Sequence, residues 1–127
     1  MKINEITNEI IGSAIEVHKE LGPGLLESAY EECLAFELRE KGLEIERQKE
    51  LPIKYKQVQL DFAYRLDIVA ENKVIVELKS VESLLPIHTA QLLSYLKLSK
   101  LKVGLLVNFN VPQLTNGVKR VVNEYKE

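Results

Sequence analysis

Two apolar-alternating runs, separated by only three residues, constrain this chain more than any other feature. Val58–Ala70 and Val74–Lys79 read as strands, and Glu71-Asn72-Lys73 between them is long enough only for a hairpin. With Asn72 at the centre of that loop, Asp67 faces Glu77, Arg65 faces Lys79, Ile68 faces Val76 and Val69 faces Ile75. Strand alternation then places Leu66, Ile68 and Ala70 with Val74, Val76 and Leu78 on one face. Arg65, Asp67 and Val69 share the other face with Ile75, Glu77 and Lys79. Slipping by one residue would set polar residues against the apolar face, so this register is favoured.

The rest of the chain supplies partners for that hairpin. Ile6, Ile10, Ala14, Val17 and Leu21 recur at helical spacing, which predicts a helix over residues 4–21 with Asn4 as its N-cap. Gly22-Pro23-Gly24 ends it, and a second helix is expected over residues 25–41, closed by Gly42. Residues 44–55 read as a strand bent or interrupted at Pro52. Beyond the hairpin, Pro86 suits the first turn of a helix running to about residue 98. Residues 102–108 read as a buried strand, residues 112–117 as a turn, and residues 118–125 as a terminal strand. The order α-α-β-β-β-α-β-β, with hairpins followed by a strand-helix-strand crossover, predicts an α/β (α+β) fold: a central mixed sheet flanked by helices. At 127 residues and without a linker-like segment, one domain over residues 1–127 is expected.

Composition removes several function classes. Cys33 is the only cysteine, which leaves no internal disulfide and no thiolate metal cluster. His18 and His88 match no zinc spacing. No apolar run approaches the length of a membrane span, and the first residues do not resemble a signal peptide, so a cytoplasmic protein without membrane contact is expected. A net charge of −2 argues against coating nucleic acid by bulk electrostatics but leaves room for a local acidic metal site. There is no phosphate-binding Gly-Lys-Ser/Thr after Gly22-Pro23-Gly24 and no serine-hydrolase elbow.

The chemistry concentrates on the hairpin. In the favoured register the β-carbons of Asp67 and Glu77 lie roughly 5 Å apart. Two carboxylates that close, beside apolar residues, repel one another unless a cation or a shared proton intervenes. Oxygen donors of this kind suit Mg²⁺ or Mn²⁺. The opposing interpretation is a solvated face on which Lys79 pairs with Asp67 or Glu77. Outside the hairpin, Gly24 and Glu27 have the spacing of a capping box. Tyr30 fits a core or a functional position equally. Gln91 and Tyr95 share one helix face at i, i+4, suited either to packing or to substrate. Arg65 can bind phosphate or pair with a neighbouring acid.

An Asp, about ten residues, then Glu-x-Lys across a hairpin and ahead of a helix resembles the PD-(D/E)XK nuclease superfamily. Gly24-Leu25-Leu26-Glu27-Ser28-Ala29-Tyr30 resembles the motif of one small-protein branch, the GxxExxY family. Segments 84–96 and 104–109 are similar to that family as well. Leu66 stands where the superfamily's eponymous proline would be, a position that makes no metal bond.

The resemblance implies a restriction-endonuclease-like core and a Mg²⁺- or Mn²⁺-dependent nuclease acting on nucleic acid, with DNA the expected substrate. It implies Glu27, Asp67 and Glu77 as metal ligands, joined by the Leu78 carbonyl, with Lys79 and Gln91 completing the catalytic set. Arg65, Tyr30 and Tyr95 are the expected substrate contacts. So small a domain offers little surface to a polymer, which makes a homodimer a natural arrangement. The alternative is a non-catalytic module that keeps the nuclease fold for nucleic-acid or protein binding.

Overall fold

The computed structural model describes residues 1–125; the last two positions of the expected 1–127 domain lie outside them. Helices α1 (Ile3–Leu21) and α2 (Glu27–Glu40) lead into β1 (Ile45–Tyr55), β2 (Val58–Ala70) and β3 (Val74–Lys79). Helix α3 (Pro86–Ser99), β4 (Val103–Asn108), a short 3₁₀ turn (Leu114–Gly117) and β5 (Val118–Val122) complete the chain. The five strands form one sheet in the order β1-β2-β3-β4-β5. Only β3 and β4 run parallel, because α3 carries the chain back between them. The predicted mixed sheet and element order are therefore those of the fold. No described helix is long and apolar enough to cross a membrane.

Each face of the sheet has its own core. Ile6, Ile10, Ala14 and Val17 of α1, with Leu34 and Leu38 of α2, pack on Ile68, Ala70, Val74, Val76, Leu78, Leu105 and Val107. On the opposite face, Leu92, Tyr95 and Leu96 of α3 meet Leu51, Leu66, Val69, Ile75 and Leu106. Gly104 of β4 lets α3 approach, since a Cβ there would run into the Leu92 side chain. Most of β3 and all of β4 are covered on both sides, which accounts for their nearly unbroken apolar sequence.

Helix boundaries shift for identifiable reasons. Lys2 rather than Asn4 is the N-cap of α1, and the Lys2 amide donates to Glu5. Asn4 instead accepts a bond from Arg120 through its side-chain oxygen. Helix α2 starts at Glu27, with Leu26 at the N-cap, and closes as expected through Gly42. Gly42 has φ 83°, its N–H reaches the Arg39 carbonyl, and the Leu43 N–H reaches that of Leu38. Strand β1 bends at Pro52, where its register against β2 shifts.

The hairpin register is the expected one as far as Ile68–Val76, where pairing stops, so the expected Asp67–Glu77 and Arg65–Lys79 pairs do not form. The face assignment holds except at Leu66. Ala70 pairs with Val74, Val69 with Ile75 and Ile68 with Val76 around the three-residue loop, in which Glu71 and Asn72 both have positive φ. Leu66, however, lies in the α3 core while Ile68 and Ala70 lie in the α1–α2 core. On β1 the ladder against β2 likewise skips Gln48 opposite Asp67, and Gln48 has φ 49°. At this point both strands make a half-turn together, and everything beyond it changes side.

Candidate active site

That half-turn opens the hairpin where the acids sit. Backbone pairing of β2 with β3 ends at Ile68–Val76, so Asp67 and Glu77 are not a ladder pair. Each carboxylate instead crosses to the other strand. Glu77 Oε2 accepts the Asp67 N–H at 2.8 Å, and Asp67 Oδ2 accepts the Leu78 N–H at 2.9 Å. Side chains thus satisfy amides that the parting strands leave free.

The arrangement is electrostatically loaded. Glu77 is only 6% exposed, and its carboxyl is pushed up from 4.5 to about 8, first by burial and then by the charge of Asp67. Burial raises Asp67 too, against the Leu78 amide and the Lys79 charge, which hold it down. Lys79 is half-buried and lowers both acids, yet among the described residues it forms no ion pair. The solvated, salt-bridged face considered for this hairpin is therefore not what forms.

Glu27 arrives from the first turn of α2. Its carboxylate accepts the Ser80 N–H at 3.3 Å, immediately beyond Lys79, and its charge acts on Asp67. It does not reach back to Gly24, so the capping box is absent: the Leu25 N–H goes to the Tyr30 hydroxyl instead. Ser80 Oγ donates to the Leu25 carbonyl at 2.6 Å, a second tie between the start of α2 and the end of β3.

The remaining expected residues divide. Tyr95 is buried beside the acids, and its hydroxyl is pushed up by burial and then by Glu77, Tyr64 and Asp67. Gln91 is exposed one turn earlier on α3 and makes no side-chain hydrogen bond among the described residues. The Leu78 side chain is core, while its backbone lies between the acids through the amide bonded to Asp67. Arg65 turns away to Glu50, at 3.3 Å, and to the Gln48 carbonyl. Tyr30 is fully buried, stacks on Phe109 at 4.3 Å and donates its hydroxyl to the Gly22 carbonyl. Burial of that kind corrects the expectation that Tyr30 touches substrate: it holds the turn that presents Glu27.

Several residues escaped the sequence reading. Gln48 donates to Glu31 Oε1 at 2.6 Å and to Asp67 Oδ1 at 3.4 Å, while buried Glu31 is also paired with Arg47 at 3.0 Å. The i, i+4 spacing of Glu27 and Glu31 was a usable signal, since it sets both acids on one face of α2. The positive φ of Gln48 had none. Asn108 is buried and bonds both the N–H and the carbonyl of Val81, fixing the segment after Lys79.

Glu27, Asp67, Glu77 and Lys79 are thus brought together, with Tyr95 beside them. Among the described residues no three acidic, imidazole or thiol side chains form a ready-made metal cage. The donor chemistry nonetheless fits a hard divalent cation: the carboxylates of buried Glu77 and half-buried Asp67 repel each other, and Lys79 only partly relieves them. A family model of the PD-(D/E)XK nuclease superfamily matches residues 4–121, and members of that superfamily generally use divalent metals. No curated protein and no solved structure matches the chain. With this fold, and with a match over nearly its whole length, the chain belongs to the PD-(D/E)XK nuclease superfamily.

Proposed function

We propose that the chain is a single-domain, metal-dependent nuclease of the GxxExxY branch that hydrolyses phosphodiester bonds in DNA, working in the cytoplasm. The observation that carries this reading is the pair of carboxylates, buried Glu77 and half-buried Asp67, that cross between the strands of an opened hairpin with Lys79 beside them. Glu27, Asp67, Glu77 and the Leu78 carbonyl would hold Mg²⁺ or Mn²⁺, which when bound polarises the phosphodiester and makes water a better nucleophile. Lys79, charged and without an ion-pair partner, orients the attacking water and neutralises a non-bridging phosphate oxygen. The Tyr95 hydroxyl flanks the acids, and Gln91 meets the substrate from the same helix. Arg65, with its guanidinium engaged by Glu50, acts on substrate only if that exposed pair opens. The small surface of the domain makes a homodimer with two sites part of the same reading.

Cleavage of labelled single-stranded, duplex and branched DNA with Mg²⁺ or Mn²⁺ tests the proposal, with Glu77→Ala and Lys79→Ala proteins alongside. Metal-dependent cutting that both substitutions abolish is the expected result. A wild type that cuts none of these substrates, or variants that cut as well, would overturn it and leave a non-catalytic nuclease-fold module as the better account.

A further inference from the structure

Beyond the half-turn, β1 and β2 continue as a ribbon whose α3-side face is aromatic and open to solvent. Phe62 is 59% exposed and Tyr64 44% exposed, unusual for rings on a strand whose inner end, Ile68–Ala70, is buried. Their rings meet edge to face at 6.1 Å. Tyr64 in turn lies 5.6 Å from Tyr95, whose hydroxyl feels the charges of Glu77 and Asp67. The three rings form a row from the outer ribbon to the acids.

The ribbon that carries this row is locally basic. Residues 49–65 carry four basic and two acidic side chains, in a chain of net charge −2. Among the described residues, exposed Lys54 and Lys56 take part in no ion pair. A second copy docked on this ribbon through a two-fold axis would bring two net-basic segments together, which disfavours a self-pairing. Duplex bases are stacked on their own neighbours and present only edges, whereas unpaired bases have free faces to lay on such rings.

We infer that Phe62 and Tyr64 form a stacking track for unpaired nucleotides, which guides a single strand past Tyr95 to the acidic centre. The inference rests on the nuclease reading and adds to it the form of the substrate. Stacking on the two rings supplies sequence-tolerant affinity, and the net basic charge of the ribbon adds a sequence-independent attraction for the backbone.

The test is fluorescence anisotropy with a short labelled oligothymidine and a duplex, in EDTA so that nothing is cut. The wild type is expected to bind the oligothymidine more tightly than the duplex. Phe62→Ala and Tyr64→Ala should each weaken single-strand binding by roughly 5- to 100-fold, and Phe62→Tyr should restore it. Because Phe62 is solvent-exposed, its loss leaves the fold intact, which an unchanged melting curve verifies. A Phe62→Ala protein that binds oligothymidine as the wild type does would overturn the track. So would one that only splits a wild-type dimer and leaves affinity for the strand unchanged. Adding Mg²⁺ to the same proteins separates the two proposals. Ring-dependent binding without cutting retains the track and removes the nuclease, while cutting with ring-independent binding does the reverse.

Discussion

Replacing Glu77 by Gln is expected to make the protein more stable while destroying its activity. The glutamine keeps an oxygen to accept the Asp67 N–H but removes the buried charge. In the wild type the folded carboxyl titrates near 8 rather than 4.5, so the fold favours the protonated form. Below about pH 4.5 folded and unfolded chains both hold the proton, and nothing is lost. As pH rises towards 8 the unfolded chain releases it while the fold retains it, and stability falls across that window and then levels. At about 1.4 kcal/mol per pH unit the shift corresponds to an upper limit of about 5 kcal/mol. Asp67 shares the burden, and the new amide needs a partner of its own, so a net gain of about 2 kcal/mol at about pH 9 is the working figure. In a domain of this size that is roughly 6–10 °C in Tm. Thermal unfolding of both proteins by circular dichroism in EDTA, near pH 5 and near pH 9, measures it. The gap should be small at the lower pH and full at the higher. A gap of equal size at both, or a variant less stable at high pH, would refute the idea that burial and Asp67 hold the Glu77 carboxyl up.

Other expectations follow from the same geometry. Mg²⁺ at about a hundred times its alkaline Kd should raise stability by about 2.7 kcal/mol there, and the same concentration should do less at acid pH, because binding requires Glu77 to give up its proton. Differential scanning fluorimetry would show this, and an equal shift in Asp67→Asn would exclude the hairpin as the metal site. Tyr30→Phe keeps the stack on Phe109 but strands the Gly22 carbonyl and the Leu25 N–H. It should cost about 1–3 kcal/mol in urea unfolding, and an unchanged midpoint would show that the hydroxyl does not hold the turn.

How much of this was legible depends on what each residue answers to. Strand limits at Val58, Ala70, Val74 and Lys79 were readable because alternation and a three-residue loop leave little freedom. That Asp67 and Glu77 lie close could be read from the register, although the ladder itself stops at Ile68–Val76 and the acids meet through carboxylates that cross between the strands. The reversal of Leu66 could not, because it arises from a concerted half-turn at Gln48 and Asp67 that no periodicity records. Glu27 looked like a cap since its spacing to Gly24 permits one. The actual competitor for its carboxylate, the Ser80 amide, lies 53 residues away. Arg65 and Tyr30 each had a packing alternative in the sequence, and it is the one that forms: Glu50 pairs with Arg65 across the strands and Phe109 stacks on Tyr30 across the core.

The half-turn also makes one ribbon a member of two layers. Leu51 and Leu66, beyond the crossing, are clamped against α3, while Ile68 and Ala70, before it, are clamped against α1 and α2. Asp67 sits at the crossing itself, like the pivot of a seesaw whose arms are loaded by different halves of the molecule. The position of Asp67, whose carboxylate accepts the Leu78 N–H, is thus set by the packing of both layers at once.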